Sequence, residues 1–548
     1  MYILMKELCN ELNRHSKILI YGAGYYANII YEKLKKAGLK NKIASFLVTD
    51  PNETGIIDEI HVETASALVL HDKEDIAILI AVSRKNEKEI IETLKTDYGI
   101  EHGIKLFDYI MQDENTFLDQ LGQKTDEGFL ENLIEYYIWN HLDSGEELNR
   151  KREESITRIE KRDIEGSDNN TIVFISGDLK PRSEKIIAAL VGRNYHVIVL
   201  EYGYAYCSKL VRKEIASLKV EIFSCETMMD VFYQALQYKP LVYYFEPMWG
   251  DCKAPEIMIR HKALFGKIVF APYDVLNDAL VQISDADKQA ERYCLENADG
   301  IVWRWFSKKF LEEKKGFVYK GKSIQFLDYC KGFEMGTKTE LDFQSDDVLK
   351  ICFVQGGIYQ LLEQPVLSDD EIYAEPAKLD AILKIFGNRS DCLFHMFIGW
   401  CEDNVRQKLD RIEEKYCNIK FFYEVEYHQL IHAISKYDYG SFLMTAGRKI
   451  PDQKSIDHVY YGSVYMNSIA NRFFDYLDAG IPIIGTFPEK QCAYLDQYGV
   501  IVKMNTSDLD IDYLKKNKLS YREKVKKANH ELRIENHIQR LIDWFYKL

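Results

Sequence analysis

Three times along the chain the same pattern starts afresh: a short apolar run, a turn, then a helix-favouring stretch. The first start, KILIYGAGYYANIIYEKLKKAGL, reads as a buried strand at Ile18 to Tyr21, a glycine turn and a helix. In that helix Ala27, Ile30, Tyr31 and Leu34 fall on one face. Further strands, IASFLVTD and DIAILIAVS, follow. The second start is TIVFISGDL, continued by the helical EKIIAALVGRN and the runs HVIVLEYG, PLVYYFEP, KIVFAPYDV and GIVWRW. The third is LKICFVQGG, continued by CLFHMFIG, NIKFFYEV, YDYGSFLM and IPIIGTF. Strands alternating with helices build parallel sheets, because the crossover between parallel strands is long enough to be a helix. The fold class is therefore α/β, with units expected at 1–115, 169–345 and 346–548 and a helical connector at 116–168. The connector's charged run NRKREESITRIEKRDIEGSDNN reads as a solvated helix face and linker. The second and third units in tandem predict a bilobed molecule with a cleft between the lobes. The final ELRIENHIQRLIDWFYKL has a helical apolar pattern and is expected to pack back across them.

A chain of 548 residues is too long for one core, since domains usually run to about 100–200 residues. A formal net charge of −15 argues against broad binding to nucleic acid or anionic lipid, which needs clustered Lys and Arg. The eleven Cys include no C-x-x-C pair and match no zinc template, so they read as reduced thiols in a cytoplasmic protein. No apolar run approaches the roughly 18 residues that span a bilayer, which leaves peripheral association with the inner face of a membrane open. Self-association into a homo-oligomer is equally open.

The most specific local signal is NSIANRFFDYLDAGIPIIGTFPEKQCAYLDQYGVIV. Between Asn467 and Ala479 the apolar Ala470, Phe473, Phe474 and Leu477 form one helical stripe, while Asn467, Asn471 and Asp475 line up on another. Gly480 is expected as a left-handed cap, and Pro482 sets the next strand off abruptly. A helix N-terminus in a cleft offers free N–H groups and a positive dipole end to a diphosphate. Two other segments carry weaker signals: KIVFAPYDVLND with AERYCLENADGIV, and FFYEVEYHQLIHAISKYDYGSFLM. Together with TIVFISGDLKPRSEKIIAALVGRNYHVIVLEYG, these four segments, spread over residues 171–501, resemble the bacterial GT-B glycosyltransferases related to glycogen synthase.

The resemblance implies two Rossmann-like lobes, a nucleoside-diphosphate sugar as donor and no cofactor for transfer. It implies a hydroxyl acceptor on a glycan, a lipid-linked saccharide or a protein, retention at the anomeric carbon, and a place in surface polysaccharide or glycoconjugate synthesis. Its ribose-binding acid falls on Asp475 and its sugar-binding acid on Asn467, which lacks the charge. The resemblance places Asp274 and Asp278 at the end of a strand facing the cleft, where a carboxylate could bind or deprotonate an acceptor hydroxyl. Glu246 and His261 are further cleft candidates, each with a structural role as its other reading. The family's diphosphate-binding Arg and Lys are missing, because QGGIYQLLEQPVLSDDEIYAEP holds no basic residue. There Gly356 and Gly357 would let backbone approach the ligand, and compensating charge is expected from Arg448, Lys449, Arg472 or Lys490, with Asn471 on the donor side. His428 and His432 sit four apart without a catalytic Glu or third ligand, so no metal site is expected.

In the first unit Gly22, Gly24 and Ala27 form a G-x-G-x-x-A turn between strand and helix, and Asp50 ends the second strand where an acid would meet a ribose. This unit resembles the Rossmann-like N-terminal domain of bacterial surface-sugar enzymes, which implies nucleotide or nucleotide-sugar binding. Two rival functions stay open. One is a non-catalytic, sugar-nucleotide-sensing partner subunit, which the missing basic pair favours. The other is a sugar-nucleotide oxidoreductase or epimerase centred on the first unit.

Overall fold

The computed structural model describes residues 2–3, 5–70, 75–82, 84–106, 110–111, 114–141, 154, 157, 159, 168–202, 208–247, 251–273, 275, 284–304, 311–313, 316–332, 348–357, 375–376, 379–445, 469–485, 494–503 and 509–548. By its internal contacts the chain forms two compact units, Met1–Gly166 with Phe232–Gln237, and Ser167–Val231 with Tyr238–Leu548. The expected connector groups with the first unit, where its helices Glu114–Gly122 and Asp126–His141 bury Leu121, Phe129, Leu133 and Ile134.

The sheet of the first unit uses β1 (Lys17–Tyr21), β2 (Ile43–Val48), β3 (Gly55–Ile57), β4 (Ile60–Thr64), β5 (Ile76–Ile80) and β6 (Ile104–Lys105), in the order β3-β4-β2-β1-β5-β6. Only the edge pair β3–β4 is antiparallel. Strand alternation decides which core each side chain joins: Ile18 and Ile20 enter one cluster, Leu19 and Tyr21 another on the opposite face. Helix α1 (Tyr25–Lys36) buries Ala27, Ile30, Tyr31 and Leu34, the stripe read from the sequence. Gly22 has φ +120, and a Cβ there would lie 2.8 Å from the Ala81 carbonyl oxygen, so the turn admits glycine alone.

The second unit holds two parallel sheets. The first comprises β7 (Asp168–Ser176), β8 (His196–Tyr202), β9 (Glu221–Cys225), β10 (Pro240–Glu246), β11 (Ile268–Phe270), β12 (Gly300–Trp303) and β13 (Lys322–Gln325), in the order β9-β8-β7-β10-β11-β12-β13. The other comprises β14 (Leu349–Gly357), β15 (Cys392–Trp400), β16 (Ile419–Tyr423), β17 (Tyr439–Phe442), β18 (Ile483–Gly485) and β19 (Ile501–Lys503), in the order β16-β15-β14-β17-β18-β19. In each, the chain starts at a central strand, winds outward to one edge and returns to wind out on the other side. This is the doubly wound Rossmann order, whose ligand crevice opens at the carboxyl ends of the two strands flanking the reversal. Those strands are β7 and β10 in one lobe and β14 and β17 in the other.

Four helices matter for the site: α2 (Pro181–Val191) after β7, α3 (Tyr427–Ile434) after β16, α4 (Asn471–Asp478) between β17 and β18, and the terminal pair's α5 (Ile511–Glu531). The last helix, α6 (Ile534–Lys547), returns from the second lobe to the first, as its apolar pattern predicts. There Phe545 meets Tyr244 edge-on with ring centroids 6.2 Å apart. One continuous apolar cluster takes in Ile172 and Val242 of the first sheet, Phe473 and Leu477 of α4, and Ile538 and Leu541 of α6. Two Rossmann-like lobes closed by a returning C-terminal helix make the GT-B fold.

Candidate functional site

The carboxyl ends of β7 and β14 bring three polar groups together around α2 and α4. The first lies at the start of α2, where Pro181 occupies the first helical turn and Arg182, Ser183, Glu184 and Lys185 are all buried. Four consecutive polar side chains can leave water only if each finds a partner. Arg182 forms ion pairs with Glu246 and, at 2.9 Å, with Asp328. Ser183 donates to the other oxygen of Glu246, and the Lys331 ammonium donates to Glu184 at 2.5 Å. Glu246 is thus held inside the lobe, where its charge serves α2. It takes the structural one of its two expected roles. His261 is buried as well.

The second group surrounds the C-terminal half of α4. The Lys185 ammonium lies 3.2 Å from Asp478 and 3.6 Å from Asp475, and donates to the Tyr329 carbonyl at 3.0 Å. The Tyr427 hydroxyl of α3 donates to Asp475 at 2.8 Å. The backbone amides of Lys331 and Gly332 donate to Asp478 at 3.0 and 2.9 Å. Asp475 is 6 % exposed and Asp478 0 %. The sequence reading of Asp475 as an open cleft acid is therefore corrected: its helical face turns toward Lys185, and burying a carboxylate beside an ammonium costs less than burying it alone. Two acids share one lysine. Together they hold Lys185 charged well above its ordinary range, while burial pushes the Asp475 carboxyl up.

The third group is at the N-terminal end of α4. The helix begins at Asn471, with Ala470 as its cap residue; no side chain caps it, and its first turn carries no acid. Arg304, just past β12, donates to the Asn471 side-chain oxygen at 2.6 Å, to the Ile469 carbonyl at 3.2 Å and to the Tyr273 carbonyl at 3.0 Å, with Asp328 3.4 Å away. Its guanidinium stacks 4.2 Å from the Tyr273 ring centroid, and the Lys180 ammonium lies 3.8 Å from the same centroid. Asn471 in turn donates to the Tyr273 hydroxyl. Arg472 sits against Phe353 of β14 and Phe442 of β17, its guanidinium 5.3 and 5.2 Å from their centroids. The positive end of a helix dipole disfavours cations and favours anions. Here Lys180, Arg304 and Arg472 gather at that end, seated largely on aromatic faces.

The structure thus brings Asn471 and Arg472 to one place, beside Lys180, Tyr273 and Arg304, which sequence reasoning did not single out. Local pattern held no sign of Arg304, because its partner Asn471 lies 167 residues away. Gly356 and Gly357 close β14 at the same carboxyl edge, and among the described residues a Cβ on Gly356 would meet nothing within 4 Å. Asp274, Asp278, Arg448, Lys449, Asn467 and Lys490 lie outside the described residues. Gly480, with φ +72, ends α4 as expected, its amide bonding Leu477 and the Ile481 amide bonding Tyr476.

In the first unit Gly24 caps α1 without a side-chain bond, Ala27 is buried, and Asp50 accepts the Asn52 amide at 2.8 Å to cap a short 3-10 turn. Asp50 therefore has a local structural task at the end of its strand. Among the described residues no group of three or more His, Cys, Asp or Glu side chains could hold a metal ion. No described helix is long and apolar enough to cross a membrane.

No protein-family model matches the chain, and no curated protein matches it by sequence. Among solved structures it is similar to Anabaena HepE in complex with UDP, at 10% identity and TM-score 0.46, covering 69% of this chain and 100% of that one. It is also similar to α,α-trehalose 6-phosphate synthase from Burkholderia multivorans, at 9% identity and TM-score 0.39, covering 69% and 96%. A third is the UDP-GlcNAc 2-epimerase from Neisseria meningitidis bound to UDP-GlcNAc, at 8% identity and TM-score 0.38, covering 68% and 99%. These similarities assign this chain none of those proteins' activities.

Proposed function

We propose that the chain is a glycosyltransferase that moves a sugar from a nucleoside-diphosphate donor to a hydroxyl acceptor. The observation that carries this reading is the N-terminal turn of α4, uncapped, free of acids and flanked by Lys180, Arg304 and Arg472 at the carboxyl edges of both sheets. A diphosphate supplies the anion such a turn favours. The backbone at Gly356, with Gly357 after it, would lie along the same ligand. The basic residues absent after β14 are then replaced by cations from the other lobe and from α4 itself, with Arg448 and Lys449 as further candidates.

Departure of a nucleoside diphosphate from the anomeric carbon builds negative charge on the β-phosphate. Fixed cations and helix N–H groups stabilise that charge more than the ground state, which is what accelerates the step. The proposal keeps Asp274 and Asp278 as acids for the acceptor hydroxyl and Asn467 near the donor sugar, and it calls for no metal or redox cofactor. Retention, a glycan, lipid-linked or protein acceptor, and a role in surface polysaccharide synthesis follow from the sequence resemblance alone. A nucleotide in the Gly22–Gly24 turn of the first unit belongs to the same proposal.

Calorimetry with UDP, GDP, ADP and dTDP tests the binding step, and release of nucleotide from sugar donors with acceptor extracts tests turnover. A chain that binds none of these diphosphates is not this enzyme. The absence of basic residues from QGGIYQLLEQPVLSDDEIYAEP favours one alternative, a sensing subunit without turnover. Tight donor binding with no transfer to the native acceptor would select it.

A further inference from the structure

Lys185 belongs to the first lobe and Asp475 and Asp478 to the second, yet the three meet in the interior. Both oxygens of Asp478 are engaged: one accepts the Gly332 amide and the Asn529 side chain, the other accepts the Lys331 amide and faces Lys185. The Oδ1 of Asp475 accepts the Tyr427 hydroxyl and faces Lys185. A carboxylate that reads a ribose must be reachable by two hydroxyls at once. Asp475, buried and with Oδ1 already between two partners, does not meet that condition.

The same short helix is tied to the first lobe at its other end, where Arg304 binds Asn471 and the Ile469 carbonyl. Eight helical residues span about 12 Å, so α4 is a short rod held at both ends by side chains of the opposite lobe. It cannot tilt or slide along its axis without breaking one of the two ties. We infer that Asp475, Asp478 and Lys185 form an interlobe anchor, and that Asp475 is a positioning residue, which fixes the direction of α4 and so the place of its N-terminal turn against Lys180 and Arg304. The positioning consequence rests on reading that turn as the donor phosphate site; the anchor does not.

The test uses the full chain and the variants Asp475→Asn, Lys185→Met and their combination. Thermal midpoints are measured for each, and calorimetry gives affinities for UDP, GDP and ADP and for their 2′-deoxy counterparts. The anchor predicts that both single variants lower the midpoint and that the double variant falls by less than their sum, since removing both partners leaves fewer buried charges unpaired. It further predicts that Asp475→Asn weakens ribo- and deoxynucleotide binding by the same factor, up to about tenfold, leaving their ratio at the wild-type value. Strictly additive midpoint losses would overturn the anchor. A loss confined to ribonucleotides, with an unchanged midpoint, would make Asp475 a ribose reader and overturn the inference too. Should the wild type bind none of the six nucleotides, the donor reading falls, and the midpoint cycle alone decides for or against the anchor. If Lys185→Met does not fold, Lys185→Gln takes its place in the cycle with the same expected non-additivity.

Discussion

The first and last turns of α4 treat charge in opposite ways, although the helix is only eight residues long. At Asn471 and Arg472 cations from both lobes converge on a helix end that carries no acid, and aromatic faces support them. At Asp475 and Asp478 the acids are buried, and one lysine with four further donors (Tyr427, Asn529 and two backbone amides) compensates them. Among the described residues, then, cations gather at one end and paired acids fill the other. An anion is favoured by a helix N-terminus and nearby cations, and disfavoured by buried acids. On the reading proposed above, the donor diphosphate would therefore meet the N-terminal turn and not the acid-bearing face.

The sharpest way to break the contrast is to remove the lysine from the satisfied end. Lys185→Met leaves two buried acids without their ammonium and should cost about 3–5 kcal/mol of stability, read as a shift of the urea midpoint. A loss below about 1 kcal/mol would mean the acids find other compensation and the two ends differ less than the geometry says.

Asp475→Asn comes next, at about 1–3 kcal/mol, and pH separates its parts. Burial raises the folded-state pKa of Asp475 above its ordinary value, so in the pH window between the two values the folded chain holds a proton that the unfolded chain has released. Stability from this group is then greatest at and below the ordinary carboxylate range and falls as pH rises through the elevated value. The asparagine variant should lack that decline. Parallel stability–pH curves for the two proteins would show that Asp475 titrates alike folded and unfolded.

At the other end, Arg472→Met keeps an unbranched side chain against Phe353 and Phe442 and removes the charge. Nucleoside-diphosphate affinity should fall about tenfold, or about 1.4 kcal/mol, while the chain stays folded. Equal affinities by calorimetry would take Arg472 out of the site. The smallest effect is expected at a third helix start. Gly24 has φ −88 and open space where a Cβ would go, so Gly24→Ala should change stability by less than about 0.5 kcal/mol. Thermal-shift titration of that variant would show whether a nucleotide needs the bare backbone there: a lost shift with an intact fold says yes, an unchanged shift says no.

Much of the scaffold was legible because it follows from short-range periodicity. The runs TIVFISGDL, HVIVLEYG, LKICFVQGG and CLFHMFIG each become a central strand, and Ala27, Ile30, Tyr31 and Leu34 point into one core, since alternation and helical spacing are local properties of the backbone. Gly480 and Pro482 likewise announced the end of α4 through φ preference alone. The identity of the polar partners could not be read that way. Glu184 is neutralised by Lys331, 147 residues on, and Arg304 meets Asn471, 167 residues on, and neither pairing leaves a trace in the spacing around either residue. The sequence by itself determined the α/β class, the strands and the short helix between β17 and β18. Only the tertiary structure decided that the acids of that helix meet Lys185, because a polar stripe looks the same whether a solvent or an opposing charge lies against it, and the free energy of a carboxylate depends on which one does.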